Sequence, residues 1–183
     1  MDIQKTKFDG AFLIRPKVFN DQRGFFLESY SKKEFLAVGI DATFVQDNHS
    51  FSMEKGVLRG LHFQHPPFAQ AKLVRVIKGR VLDIIVDLRK NSKTFGRWES
   101  FELSEKNFKM LFIPRGMAHS FCVLEENTHF VYKADNYYDA KSDGGIFWND
   151  PDLNISWPIE NPLISEKDQK QQSWREFLKN NPF

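Results

Sequence analysis

Cysteine occurs once in 183 residues, at Cys122. A single thiol makes no intrachain disulfide and no thiolate zinc cluster within one subunit. Cys122 follows His119 in a strand-like run and reads as a small buried hydrophobe, not a nucleophile. No apolar run approaches the roughly 20 residues of a membrane span. The N-terminus, Met1 to Gly10, is polar where a signal peptide would be apolar. A cytoplasmic protein with no membrane partner is expected. Net charge is also scarce, at +2 from 26 Lys and Arg against 24 Asp and Glu. These charges are dispersed, so no nucleic-acid partner is expected. Internal repeats, low-complexity tracts and linkers are absent.

What is present is hydrophobic content of 41% with 27% charged residues, the balance of a soluble globular chain. The length suits one domain over 1–183, long enough to enclose a core. The 19 Phe, 4 Trp and 4 Tyr favour pleated surfaces and a β-rich interior. Residues 8–30 alternate as a hairpin-like arm turning at Asp21 to Gly24, and 44–52 is extended. Strands are expected at 57–64, 71–78, 80–88, 97–103, 109–113, 118–124 and 128–135, separated by Gly, Pro and Asn turns. Only two helices are expected: 31–38, opened by a capping box at Ser31 and Glu34, and 165–180, opened by Ser165. Many strands with few helices indicate an all-β jelly roll or small β-barrel with short peripheral helices. Residues 1–30 form its N-terminal arm and 164–183 its C-terminal helical tail. Trp98, Trp148 and Trp157 are expected in the core or an interface. The last residues, from Gln171 on, carry no motif and are expected to fray or to lie on a dimer surface.

The densest chemistry lies between Gly56 and Val76, where Arg59, His62, Gln64, His65, Gln70, Lys72 and Arg75 interrupt two apolar strands. Cations and imidazoles on the inner side of a sheet are costly unless paired, which points to a site that binds an anion and moves protons. Alternation sets Arg59 and His62 on opposite faces. They reach one cavity only if the strand bulges, and Gly60 is the residue that permits it. Taken singly, a strand His or Tyr is a satisfied core residue and a strand Lys an edge residue reaching solvent. His62, Lys72, His119 and Tyr132 together are hard to explain by packing.

Ile113 to His119, IPRGMAH, matches the second half-motif of the cupin superfamily, Pro-x-Gly-x-x-His, and cupins commonly bind a metal. The first half-motif needs His-x-His, where this chain has His62-Phe63-Gln64. Two imidazoles and no carboxylate at the usual offset make a tight first-row metal site an unfavoured reading. No metal and no cofactor are expected, and His62 is left free to act as a base.

Ordered blocks along nearly the whole chain carry a more specific likeness: RGFFLESY at 23–30, QDNHSFS at 46–52, GVLRGLHFQHPPFAQAKLVRVIKG at 56–79, DLRKNSKTFG at 87–96, IPRGMAHSF at 113–121, YKADNYY at 132–138, WNDPDLNISWP at 148–158 and LISEKD at 163–168. Together they resemble the dTDP-4-dehydrorhamnose 3,5-epimerases, cupin jelly rolls that work as homodimers. The resemblance implies cofactor-free epimerisation of dTDP-4-dehydro-6-deoxy-D-glucose to dTDP-4-dehydro-L-rhamnose. Its C4 ketone acidifies the hydrogens on C3 and C5, so the chemistry needs a base, an acid across the ring and a positive group near the enolate oxygen.

By the same resemblance His62 matches the base, Tyr132 the acid and Lys72 the lysine beside the oxyanion, with His119 lining the pocket. Asp168 has two readings, as partner of the base histidine or as part of a Ser165-x-x-Asp168 helix cap; the resemblance favours the first, and the two can coexist. Arg59 and Lys167 match the diphosphate contacts, and Gln46, Asn48 and Tyr138 those of the thymidine and sugar. Phe19, Arg23 and Glu28 match residues that the arm delivers into a partner subunit's site, implying a homodimer with an exchanged arm. A structural hairpin is the plain alternative for the arm. His49, His65 and His129 gain no role. Two other functions remain open: a single-site epimerase acting at C3 or C5 alone, or a non-catalytic sugar-nucleotide-binding cupin. Gly144 stands where a polar residue is expected, which bears on the choice of reaction.

Overall fold

A computed structural model describes residues 1–183. In chain order the elements are β1 Asp2–Lys5, β2 Phe12–Arg15, β3 Val18–Asp21, β4 Gly24–Leu27, α1 Lys32–Ala37, β5 Gln46–Ser52, β6 Val57–Gln64, β7 Lys72–Lys78, β8 Arg80–Asp87, β9 Trp98–Ser104, β10 Met110–Ile113, β11 Met117–Val123, β12 Thr128–Ala134, β13 Asp143–Gly145, β14 Leu163–Ile164, α2 Glu166–Gln169 and α3 Trp174–Lys179. The first sheet runs β1-β2-β10-β7-β12-β5 and the second β13-β6-β11-β8-β9, with β14 added in parallel to β6. This is the jelly roll expected from the strand spacing.

Three apolar layers explain the sequence pattern. Between the sheets, Val74, Val76, Leu111 and Phe130 from one side meet Val81, Ile85, Leu103 and Phe121 from the other. Outside the second sheet, Leu61, Phe63, Ile84, Val86 and Ala118 pack under Ile146, Leu153, Ile155, Trp174 and Phe177. Outside the first, Ile14, Leu73, Met110 and Phe112 pack under Phe35, Ile40 and Ala42. Strand β11 is therefore buried along its whole length, which is why MAHSFCV lacks the polar alternation of a half-exposed strand. At the end of β8, the Asp87 carboxylate accepts hydrogen bonds from Arg89, Ser92 and Thr94, bracing the turn within DLRKNSKTFG.

Several expectations need correction. The free-standing hairpin is β3 paired with β4 alone. The strand Phe12–Arg15 instead lies in the first sheet between β1 and β10, because its apolar side chains face the core. Strands β1, β13 and β14 have no counterpart in the sequence reading, being too short or too polar to show alternation. Ser31 accepts the Glu34 backbone N–H, giving half of the expected capping box. The single helix expected over 165–180 is two helices. Between them Gln172 leaves the helix to bridge Ile146, its amide donating to the Gly145 carbonyl and its own carbonyl accepting from the Phe147 N–H. Ser173 and Glu176 then open α3 with a complete capping box.

The tail does not fray. Trp174 and Phe177 are buried under the second sheet, and the Asn181 side chain donates to the Leu88 carbonyl at 2.8 Å. Replacing Trp174 with Ala is expected to cost about 3–5 kcal/mol of folding stability, read by urea denaturation. A change below about 0.5 kcal/mol would mean a tail that is not docked.

Candidate active site

The site begins with one irregularity in β6. His62 is paired with His119 of β11 and Arg59 with Phe121, so three steps on one strand oppose two on the other. Gly60 sits in this bulge at φ +126°, and a Cβ there would lie 2.5 Å from the Ser120 Cβ and 2.7 Å from the His119 carbonyl oxygen. Glycine is required by both backbone angle and space. The parity flip lets Arg59 and His62 line the same cavity, of about 630 Å³, together with Lys72, His119, Tyr132, Lys167 and Asp168.

Asp168 reaches the site from the far end of the chain. Strand β14 pairs in parallel with the start of β6 and delivers the first turn of α2 against it. The Asp168 backbone N–H donates to Ser165 Oγ at 3.1 Å, while its carboxylate contacts His62 Nε2 at 2.6 Å and accepts the Gly60 N–H at 3.3 Å. Cap and dyad coexist because they use different atoms of one residue. Burial pushes this carboxyl up, but the hydrogen bond and charge of His62 and the donors Gly60 and Ser165 outweigh it, holding the group below its ordinary range.

A second buried pair lies beside the first in the same sheet: His119 Nε2 lies 2.9 Å from Asp83 Oδ2. Burial raises the Asp83 carboxyl, against the charge and hydrogen bond of His119 and the charge of Lys72. Lys72 has no ion-pair partner, and its ammonium lies 5.6 Å from the centre of the Tyr132 ring. Loss of water lowers it to about 8, opposed by the charges of Asp143 and Asp83. Tyr132 is raised, first by burial and then by Asp143, so its phenol holds its proton firmly.

At the rim, Lys167 Nζ and the Tyr138 hydroxyl both donate to Asp143 Oδ2. Gln46 accepts the Tyr138 N–H and donates to Asn48 Oδ1, and Asn48 is paired with Tyr132 across β5 and β12. A chain of contacts thus joins Lys167 of the cavity to Tyr138, Gln46 and Asn48, which lie outside its lining. Arg59 donates to the Phe51 carbonyl and has no carboxylate partner. Phe19, Arg23 and Glu28 do not line this cavity: all three are exposed, and Arg23 is paired with Asp21 in the β3–β4 turn.

Two residues escaped the sequence reading. Asp83 had a usable signal, since an acid among Leu82, Ile84 and Ile85 demands a partner. Asp143 lies in a polar loop stretch and had none. The cupin metal does not fit the residues present. The Gln64 amide is fully committed, donating to the Phe68 and Tyr137 carbonyls and accepting the Asp139 N–H. His62 and His119 are each held by a carboxylate, and no group of three or more His, Cys, Asp or Glu is placed to hold a metal.

A jelly roll whose interior sets a histidine–carboxylate pair, a lysine and a protonated tyrosine around one cavity defines a cupin-fold enzyme equipped for acid–base chemistry. The family model described as dTDP-4-dehydrorhamnose 3,5-epimerase matches residues 5–176. The dTDP-4-dehydrorhamnose 3,5-epimerase of Shigella flexneri is 51% identical over 175 residues, 95% of this chain and 96% of that one. The crystal structure of the Bacillus anthracis dTDP-4-dehydrorhamnose 3,5-epimerase with TDP and PPi bound superposes with a TM-score of 0.93 at 47% identity, covering 94% of this chain and 98% of that one. A Legionella pneumophila 3,5-epimerase in complex with dTDP-4-keto-L-rhamnose gives 0.90 at 44% identity, covering 94% and 92%. The chain belongs to the dTDP-4-dehydrorhamnose 3,5-epimerase family.

The buried lysine yields a pH prediction. The folded chain releases the Lys72 proton near 8 and the unfolded chain near 10.5, so between these values the unfolded state binds more protons and this group's contribution to stability rises with pH. Urea denaturation of the native chain and of Lys72→Met across that window should differ by this upward slope, present only with the lysine. Parallel pH profiles would show an ordinary lysine.

Proposed function

We propose that this protein is an isomerase that converts dTDP-4-dehydro-6-deoxy-D-glucose to dTDP-4-dehydro-L-rhamnose by inverting C3 and C5. The observation that carries the reading is the 2.6 Å His62–Asp168 contact in a cavity shared with Lys72 and Tyr132. His62 removes the proton from C3 or C5, the C–H electron pair moves into the ring and the C4 carbonyl becomes an enolate. Asp168 orients the imidazole and stabilises the imidazolium that forms. The Lys72 ammonium, assisted by His119, faces the enolate oxygen. Tyr132 then donates its proton to the opposite face of the carbon, restoring the ketone with inverted configuration. Solvent exchange returns one proton to Tyr132 and removes one from His62.

The nucleotide is held at the rim. Arg59 and Lys167 meet the diphosphate, where a planar guanidinium offers two parallel donors. Gln46, Asn48 and Tyr138 hold the thymidine and sugar portions. Phe19, Arg23 and Glu28 enter the site of a second copy of the chain through an exchanged arm in a homodimer. Their exposure here, and the exposed Phe25 and Phe26 beside them, support that reading.

Incubating the protein with the dehydro sugar nucleotide in deuterated water should place deuterium at both C3 and C5. Label at one carbon would make it a single-site epimerase, and none would overturn the enzymatic reading. His62→Asn should lower exchange by about a thousandfold and leave dTDP binding intact. Tyr132→Phe should retain proton abstraction while losing productive inversion; an unchanged product rate would remove Tyr132 from the mechanism.

A further inference from the structure

Beyond α3 the tail turns back on itself and is fastened at three points. The Asn181 side chain donates to the Leu88 carbonyl at 2.8 Å and accepts the Phe183 N–H at 2.8 Å. The Phe183 carbonyl accepts the Lys90 N–H at 3.3 Å. These bonds hold the Phe183 ring edge to face against Phe63 of β6, with ring centres 5.8 Å apart. The ring also covers Gly116, where a Cβ would lie 3.7 Å from Phe183 Cδ1. Phe183 lies beyond residues 5–176, the span matched by the family model, so none of the shared motifs carries it.

The ring is one wall of a second, much smaller cavity of about 10 Å³. Phe63, Ile113 and Met117 supply apolar walls, while Lys72 and His119 line both this space and the active-site cavity. The remaining polar side chains there, Gln64 and Gln70, are neutral. A volume of about 10 Å³ is at the threshold for a single water molecule, so the space admits no continuous file of solvent. An opening lined by polar groups fills with water, whereas an apolar one stays dry. Removing the ring would therefore let water reach Lys72 and His119 from behind.

The charged and titratable groups around Lys72 lie toward the active-site cavity. They are Arg59 and His62 of β6, Asp83 of β8 and His119 of β11, with Tyr132 of β12, Asp143 of β13 and the α2 residues Lys167 and Asp168. Strand β10, its other neighbour in the first sheet, brings none. Loss of water is the largest influence on this ammonium, lowering it to about 8 against the charges of Asp143 and Asp83.

We propose that Phe183 is a positioning residue for the epimerase reaction: its ring closes the rear of the active site and keeps water off Lys72 and His119 on the side away from the substrate. It acts through Lys72 and so rests on the role proposed above for that ammonium. A desolvated ammonium meets the developing enolate oxygen with less screening than a hydrated one.

The full chain, carrying ¹³C at lysine Cε, is titrated by NMR, with the Lys72 signal identified by its loss in Lys72→Met. Its midpoint in the native chain is expected near 8. Phe183→Ala, which opens the rear wall, should raise the midpoint by about one pH unit, and Phe183→Leu, which keeps an apolar plug, should hold it within about 0.3 of a unit. Ile155→Ala thins the cover of the same sheet without touching the small cavity and should leave the midpoint unchanged. Circular dichroism checks the fold of each variant. The high-pH limb of kcat/KM on the dehydro sugar nucleotide should move with the Lys72 midpoint. An unchanged midpoint in Phe183→Ala, or an equal rise in Ile155→Ala, would overturn the proposal. A raised midpoint in Phe183→Ala with no turnover by the native chain would instead overturn the reaction and leave the wall standing.

Discussion

The contact between His62 and Asp168 is the constraint on which the rest of the site depends. It joins the middle of β6 to a residue 106 positions later, and a few local features hold it. The Gly60 bulge turns the imidazole into the cavity, β14 lays the C-terminal segment along β6, and Ser165 caps the short turn that carries the carboxylate. Behind them Trp174, Phe177 and Asn181 dock the tail on the second sheet. A contact this short between a buried carboxylate and an imidazole needs that backing, because a buried acid without its partner costs several kcal/mol.

Charge inside the barrel is arranged in compensating sets. Asp168 sits with His62 and Asp83 with His119 in the second sheet, while Lys72 of the first sheet has no ion-pair partner. Burial acts on each in the direction that disfavours its charge: Asp83 upward, Lys72 downward, Tyr132 upward. Asp168 alone is driven the other way, by its hydrogen bonds. One enclosed space therefore holds an ionised carboxylate, a phenol that keeps its proton and a lysine that releases its own near 8. That division of protonation is the electrostatic basis of the proposed acid and base roles.

The two sheets differ in what covers them. Strands β8 and β11 are packed on both faces and carry almost nothing but apolar side chains and the His119–Asp83 pair. Strands β5 and β12 are packed on one face only, so the period of two sends Asn48, Ser50, Phe130 and Tyr132 inward and His49, Phe51 and His129 outward.

The jelly roll was legible because its strands are set by local alternation and turn residues, and because ordered motifs span nearly the whole chain. The types of group in the cavity were legible for the same reason, and Gly60 marked the bulge that Arg59 and His62 required. Less was legible where long-range packing overrides local pattern. The capping motif at 165–168 did not reveal that Gln172 would end the helix to bridge Ile146, nor that the tail would dock. Neither Asp83, the partner of His119, nor Asp143 was singled out. The sequence by itself determined most of the long strands, their faces and the chemical kinds of group in the site. Only the tertiary structure decided which groups meet, because the carboxylates facing His62 and His119 and the anion joining Lys167 to Tyr138 are brought there by strand pairing between distant segments, and no local periodicity encodes that register.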